Sequence, residues 1–358
     1  MSKPTRQRTL PPAEPLPTGL RLGRYELQGV LGHGPFAITY RALDTESDED
    51  VVIKEYIPTA LALRRGATDV VPRDDASAEA FREGLRYFVN EAQLLPRFEH
   101  PSLVRVRASF EAHGTAYMVM PMIVGRDLMQ TFLARTQSPR EQTLRTMLDA
   151  LLGALETLHR AKIEHRDISA RGIMMQPDGR PVLMDLGSPR RVTIARGDAG
   201  ALGPREGYAA IELYATGADR ARGPWTDLYA LGAVMFFLVS GKVPPAAPRR
   251  KPEERPALAL GRPGGRYTPV FLGTIDWMLA VEPKDRPQSV AELRAVLGGK
   301  SLPTAFSPPP VRRLSDKLTR HRRALLIGAV ATAAVSAAGG TGFWMWRSGR
   351  LRWPPRRS

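Results

Sequence analysis

Four stretches in the first third of the chain alternate apolar and polar positions: RYELQGVL (24–31), AITYRAL (37–43), DVVIKEY (50–56) and TAYMVM (115–120). Side chains of an extended strand alternate between its faces, so each stretch is predicted to be a half-buried strand. Between the third and the fourth the period changes. Phe81, Leu85, Phe88, Ala92 and Leu95 recur at helical spacing and predict a helix, with Ser77 as its N-cap and Pro96 just past its end. Beyond Gly125 the pattern is helical. Leu144, Met147, Leu148, Leu151, Leu155 and Leu158 mark a long amphipathic helix before His159, and LYALGAVMFFLV (228–239) is apolar on every side. A bilayer span needs about 20 residues, so this last run is read as a core helix. The order predicts an α+β body over 25–297, with a small sheet lobe at about 25–122 and a larger helical lobe at about 123–297. A body of that length is large for one core and fits two lobes. No internal repeat is visible.

The flanks read differently. Residues 1–24 hold five prolines without apolar periodicity and are expected to be a flexible leader. The segment 298–323 reads as a linker (GGKSLPTAFSPPPV, 298–311) followed by a basic juxtamembrane stretch. From Ala324 to Trp346 run 23 uncharged residues, roughly 34 Å as a helix and enough for the hydrocarbon core of a bilayer. Arg322 and Arg323 precede it and Trp344, Trp346 and Arg347 close it, as interfacial anchors do. A transmembrane helix is therefore expected at 324–346, with a short basic tail at 347–358. The N-terminus has no apolar region of the kind a cleaved signal peptide needs.

There is no cysteine, which excludes disulfides, thiolate metal sites and thiol catalysis. The net charge of +16 invites a nucleic-acid reading, but its location argues against one. Residues 312–358 carry +10, residues 1–24 carry +4 and Lys300 adds one, leaving +1 for residues 25–297. The basic residues flank the lipid-facing segment, where they meet anionic headgroups.

Within the body, chemistry-bearing segments follow in a fixed order. The first is LGHGPFAITY (31–40), where Gly32 and Gly34 open a strand-turn-strand in which backbone N–H groups can approach phosphate oxygens. A strand ending in Lys54, the helix bearing Glu91, EHRDIS (164–169), VLMDLG (182–187), GYAAIE (207–212), WTDLYALG (225–232) and EPKDRP (282–287) come after it.

This series resembles the eukaryotic-type (Hanks-type) serine/threonine protein kinases of bacteria, over about three-quarters of the chain. The resemblance implies a bilobal protein-kinase fold that uses ATP and Mg²⁺, or Mn²⁺. By the same resemblance Lys54 pairs the α/β-phosphates and is held by Glu91, Asp185 ligates the metal, and Asp167 accepts the proton of a substrate Ser/Thr hydroxyl. Adenine is expected between Thr39 and Val52 above and Met174 below, beside a hinge at Met120 to Met122. Glu212 and Arg286 match the family's structural ion pair, Asp227 its anchor for the catalytic-loop backbone, and His165 and Arg166 complete that loop.

Three departures fall on the chemistry. The family's HRDxKPxN appears as HRDISARG (165–172), so that Ser169 stands for the lysine facing the γ-phosphate and Gly172 for the metal-ligating asparagine. Loss of a comparable single group costs roughly 10²- to 10³-fold in rate. Arg205 stands for a threonine that contacts Asp167. Two readings of it remain open: a solvated side chain on a drifted loop, or a replacement cation. Two functions follow: a membrane-anchored kinase, or an ATP-binding pseudokinase acting as a scaffold. Thr193, after Arg190 and Arg191, is the candidate phosphosite and would pair with Arg166. ATP is cytosolic, so the body is expected in the cytoplasm with only residues 347–358 outside. Small residues between Gly328 and Gly340 allow close helix packing and hence a homodimer.

Overall fold

The computed structural model describes residues 13–184, 204–214, 221–257 and 265–307. The transmembrane expectation at 324–346, the metal ligand Asp185 and the phosphosite Thr193 lie outside them. Among the described residues no helix is long and apolar enough to cross a membrane.

The first lobe is built on a six-stranded antiparallel sheet in the order β1 (Arg21–Leu22), β2 (Tyr25–His33), β3 (Ala37–Asp44), β4 (Glu49–Tyr56), β8 (Thr115–Pro121) and β7 (Ala108–Ala112). The four alternating stretches of the sequence are β2, β3, β4 and β8. Between β4 and the helix lies a hairpin of β5 (Ala62–Arg65) and β6 (Asp69–Pro72). Helix α1 spans Asp75–Leu94 and buries Phe81, Phe88 and Ala92. Its N-cap is Asp74 and not Ser77: the Asp74 carboxylate accepts the Ser77 N–H at 2.8 Å. Ser77 is thus the third helical residue whose amide the cap satisfies, a donor the helix itself leaves open.

The back of this sheet carries a buried polar cluster. Glu55, fully buried, accepts from Tyr40 at 2.7 Å, Tyr117 at 3.1 Å and Arg64 of the hairpin at 2.6 Å. Arg64 also donates to the Glu14 carbonyl, and Leu16 N–H donates to the Tyr40 hydroxyl. Over its described residues, 13–24, the leader is therefore folded and not a loose tail. Leu16 and Leu22 are buried in the core and β1 pairs with β2, because this polar cluster needs the leader's backbone to complete it.

The second lobe contains α2 (Leu128–Leu133), α3 (Glu141–Arg160), α4 (Pro224–Ser240), α5 (Pro269–Met278) and α6 (Val290–Leu297). A small sheet orders β11 (Pro181–Leu183), β10 (Ile173–Met175) and β9 (Arg126–Asp127). All six apolar positions read on α3 are buried, and α4 is buried all round over residues 226–239. The expected linker is also corrected at its start. Leu302 and Phe306 sink into the core against α5, where Gly273 leaves the backbone room to approach.

Candidate active site

Lys54 is opposite Thr39 on one side and Met118 on the other, and Val52 is opposite Met120. Directly paired residues share a sheet face, so Thr39, Val52, Lys54, Met118 and Met120 look the same way. Val51, Ile53 and Glu55 fill the opposite face and are fully buried. Tyr56, two residues after Lys54, shares its face and packs on Phe81 and Phe88 of α1, with ring centroids 5.5 and 5.6 Å away. Gly84 permits this, since a Cβ there would sit 2.1 Å from the Tyr56 hydroxyl. Gly84, Phe88 and Glu91 lie on one stripe of the helix, which therefore presents Glu91 to the Lys54 face. Glu91 is 3% exposed, and a carboxylate buried that far demands a cation or donors.

Gly32 faces Thr39 across the β2–β3 hairpin, and Gly34 closes the turn by donating its N–H to the Ala37 carbonyl at 2.8 Å. A Cβ at Gly34 would press on that same oxygen, whereas Gly32 has open space around it. Met122 follows β8 and Met174 lies in β10; both are half-buried. Of the nucleotide residues expected in the first lobe, Gly32, Thr39, Val52, Lys54 and Met120 thus fall on one sheet face, while Gly34 lies in the turn and Met122 past the end of β8. A backbone turn with space above it, on the same sheet face as a lysine, fits a polyphosphate nucleotide.

The catalytic loop is held from below. The Asp227 carboxylate, fully buried, accepts the N–H groups of His165 at 2.8 Å and Arg166 at 2.7 Å, and bonds His159 Nε2 at 2.8 Å. Burial alone would raise the Asp227 pKa. The hydrogen bond and charge of His159, the charge of His165 and the Arg166 amide outweigh it and hold the group below the ordinary carboxylate value. Arg166 is left-handed, with φ of 65°, a conformation that costs a non-glycine residue about 1–2 kcal/mol and that the two anchored amides impose. The buried His165 ring bonds the Met184 carbonyl through Nε2 at 2.7 Å, while Nδ1 accepts the Asp167 N–H at 3.3 Å. The imidazole therefore ties the Asp167 backbone to the residue just before Asp185.

Glu212 and Arg286 form a fully buried bidentate pair, with N–O distances of 2.8 and 3.1 Å. Thr226 donates to Glu212, and Arg286 donates to the Ala280 and Val281 carbonyls, so the polar atoms of the pair are satisfied. This clamps the segment that runs from Arg205 to Glu212 to the helical lobe.

The departures have definite geometry. Ser169 is buried and its hydroxyl accepts the Gly172 N–H at 3.3 Å, capping a 3₁₀ turn over Ala170–Gly172. It cannot stand in for a cation. A Cβ on Gly172 would meet only ordinary contacts, at 3.5 Å or more. Arg205 is not adrift: its Nε and one terminal nitrogen donate to the two oxygens of Asp167 at 3.1 and 3.0 Å. The solvated reading of Arg205 is overturned.

Three residues escaped the sequence reading. His159 supports Asp227 from 68 positions away. Glu164 bonds the Arg166 guanidinium, the group reserved above for a phosphothreonine. Arg171 lies exposed on the turn after Asp167; being the one cation inside HRDISARG beyond Arg166, it was legible by charge.

This fold and site define a protein kinase, and the chain belongs to that family: the protein kinase domain matches residues 25–293. Among similar proteins, the serine/threonine-protein kinase pkn3 of Myxococcus xanthus is 27% identical over 293 residues, covering 76% of this chain and 50% of the relative. The chain thus spans about half the length of such a relative. The apo form of PpkA-294 is 37% identical and superposes with a TM-score of 0.70, covering 79% of this chain and 99% of that one. The kinase domain of Mycobacterium tuberculosis PknI shares the fold, with a TM-score of 0.60 at 22% identity over 79% of this chain and 98% of that one. The family match, pkn3 and PpkA-294 support a bacterial Hanks-type serine/threonine kinase.

Proposed function

We propose that the chain is a membrane-anchored serine/threonine protein kinase that moves the ATP γ-phosphoryl group to a protein hydroxyl. One observation carries the reading above others. Asp167, half-buried, projects from a loop whose backbone is locked by His165 and Asp227, which is how a proton acceptor is held at a reacting hydroxyl. Lys54, backed by Glu91, orients the nucleotide. The bond between the β–γ bridging oxygen and phosphorus breaks, a bond from the substrate oxygen to that phosphorus forms, and the hydroxyl proton passes to Asp167 as ADP departs. Bound Mg²⁺ or Mn²⁺ would neutralise phosphate charge; Asp185 is the ligand the family pattern supplies, and Gly172 offers none.

A second reading is favoured by that same pair of residues. With Ser169 capping a turn and Gly172 bare, the chain is a nucleotide-binding pseudokinase that acts by contact with partners at the membrane. The experiment is γ-phosphate transfer by the full chain in detergent, to itself and to a generic basic protein, with Mg²⁺ and with Mn²⁺. Incorporation that vanishes in Asp185→Ala supports the kinase; ATP binding without incorporation supports the pseudokinase.

The anchor is the run at 324–346, with the kinase body cytoplasmic because ATP is, and with no nucleic-acid partner because the body is nearly neutral. Recovery of the full chain in the soluble fraction after alkaline carbonate washing of membranes would remove the anchor. A monomer in detergent would remove the homodimer, and peptide mass spectra without phosphate would remove Thr193 as a phosphosite.

A further inference from the structure

We propose that Arg205 is the positioning residue of Asp167: its guanidinium fork fixes the plane of the carboxylate, in place of the side chain that Gly172 lacks. The inference rests on the phosphotransfer reading and concerns how that reaction survives a degenerate loop.

Asp167 is held at its backbone by the His165 ring, which leaves the rotation of its carboxyl group to be set by side chains. Position 172 has no side chain to offer, and the Ser169 hydroxyl is turned inward onto the Gly172 amide. Arg205 meets the carboxylate side-on, one nitrogen to each oxygen at 3.1 and 3.0 Å. Two parallel bonds from a planar group define the carboxylate plane in a way that one bond cannot, and lysine could not reproduce them.

The fork takes one acceptor position on each oxygen of the carboxylate, which when ionised has about four. The pair is partly open to solvent, with side-chain exposures of 33% for Arg205 and 16% for Asp167.

Nor is the arginine on a loose support. Its carbonyl accepts the N–H groups of Tyr208 at 3.1 Å and Ala209 at 2.9 Å, and both of those residues are buried. A few residues further on, Glu212 pins the segment to Arg286. The loop that would receive the substrate peptide therefore also sets the orientation of the base.

The experiment compares Arg205→Ala, Arg205→Gln and Arg205→Lys with the parent chain, each alone and combined with Gly172→Asn, in full-length protein. Initial rates of γ-phosphate transfer to a basic protein are measured across ATP concentrations. Loss of orientation should lower kcat roughly 10²-fold in Arg205→Ala with the KM for ATP unchanged. Lysine should recover little. The fold-loss caused by Arg205→Ala should be smaller in the Gly172→Asn background than in the parent, because the Cβ of an asparagine there sits 3.7 Å from the Asp167 carbonyl and gives that residue a second hold, whatever Gly172→Asn gains by itself. A merely structural arginine would cost the same factor in both backgrounds.

Transfer by Arg205→Ala equal to the parent, or a loss that Gly172→Asn does not touch, overturns the inference. If Arg205→Ala fails to fold by thermal melting, Arg205→Gln, which keeps most of the volume, is judged on the same criteria. A parent chain that binds ATP and transfers nothing overturns the kinase reading, and this inference with it.

Discussion

Asp227 holds Arg166 in a left-handed backbone conformation by accepting its amide at 2.7 Å, across 61 residues of sequence. Its second oxygen takes the His165 amide, so one buried carboxylate shapes the turn from which Asp167 projects. Asp227→Ala would leave two amides and His159 without their acceptor. A loss of about 3–5 kcal/mol is expected in urea unfolding, the range for breaking a buried charged contact. The pH dependence follows from the sign of the shift. The Asp227 pKa is lower in the folded chain, so its contribution is complete above the unfolded value near 4 and fades as pH falls through the folded one. Asp227→Asn should flatten that acid-side decline; an unchanged decline would show that other carboxylates set it.

Gly172→Asn tests the bare metal position directly. The backbone there is not left-handed and the nearest atoms to an added Cβ are 3.5 Å away, so the variant should fold with stability within about 1 kcal/mol of the parent. Transfer with Mg²⁺ should rise, by up to roughly 10²-fold if the lost ligand limits the rate. A folded variant with no gain would place the limit elsewhere.

The interior of the first lobe depends on Arg64. Arg64→Ala would strand the fully buried Glu55 carboxylate, and a loss of about 3–5 kcal/mol in chemical denaturation is expected. Arg64→Ala with Glu55→Leu should regain only part of it, since Tyr40 and Tyr117 then lose their acceptor. Full recovery would mean that the two hydroxyls contribute nothing.

Those two tyrosines also predict alkaline behaviour. Burial first, and then the neighbouring Glu55 charge, push both phenols well above the ordinary value. A group whose folded pKa is raised stabilises the fold fully below its unfolded pKa, near 10, and loses that contribution as pH rises. Absorbance at the tyrosinate band should therefore show a late step that coincides with loss of circular dichroism above about pH 10. Complete tyrosine ionisation before unfolding would contradict the burial of this pair.

Gly84→Ala is expected to disturb nucleotide binding from a distance. The new Cβ would press on the Tyr56 hydroxyl and lift α1, with a cost of about 1–3 kcal/mol and weaker ATP affinity through displacement of Glu91. Unchanged stability and affinity together would show that Tyr56 swings aside freely.

Much of this was written locally in the chain. The strands at 24–31, 37–43, 50–56 and 115–120, the long helix before His159 and the all-apolar helix at 228–239 follow from periodicity, because burial of one face leaves a repeating trace. The order of the motif residues was equally legible. Contacts across long separations leave no such trace. Nothing in the spacing of Arg205 and Asp167, 38 residues apart, signals their fork, and His159 and Asp227 are further apart still. Asp74 and Ser77 are both good caps three residues apart, and only backbone geometry decides between them. The leader and the linker read as loose because Leu16, Leu22, Leu302 and Phe306 are few and set among prolines, yet each finds a pocket in the folded body. The β5–β6 strands are four residues long and rich in charge, too brief for alternation to stand out.

Lys54 and Glu55 are neighbours in one strand that look in opposite directions, the first toward the sheet face proposed for the nucleotide and the second into a pocket closed by Arg64. The hairpin that carries Arg64 cannot be inherited or discarded on its own. A descendant that drops the hairpin keeps a buried negative charge beside Lys54 unless Glu55 changes in the same lineage. Glu55 and Arg64 should therefore come and go together among sequences of this kind, and their joint presence would mark chains in which the leader and the hairpin form one unit with the nucleotide lobe.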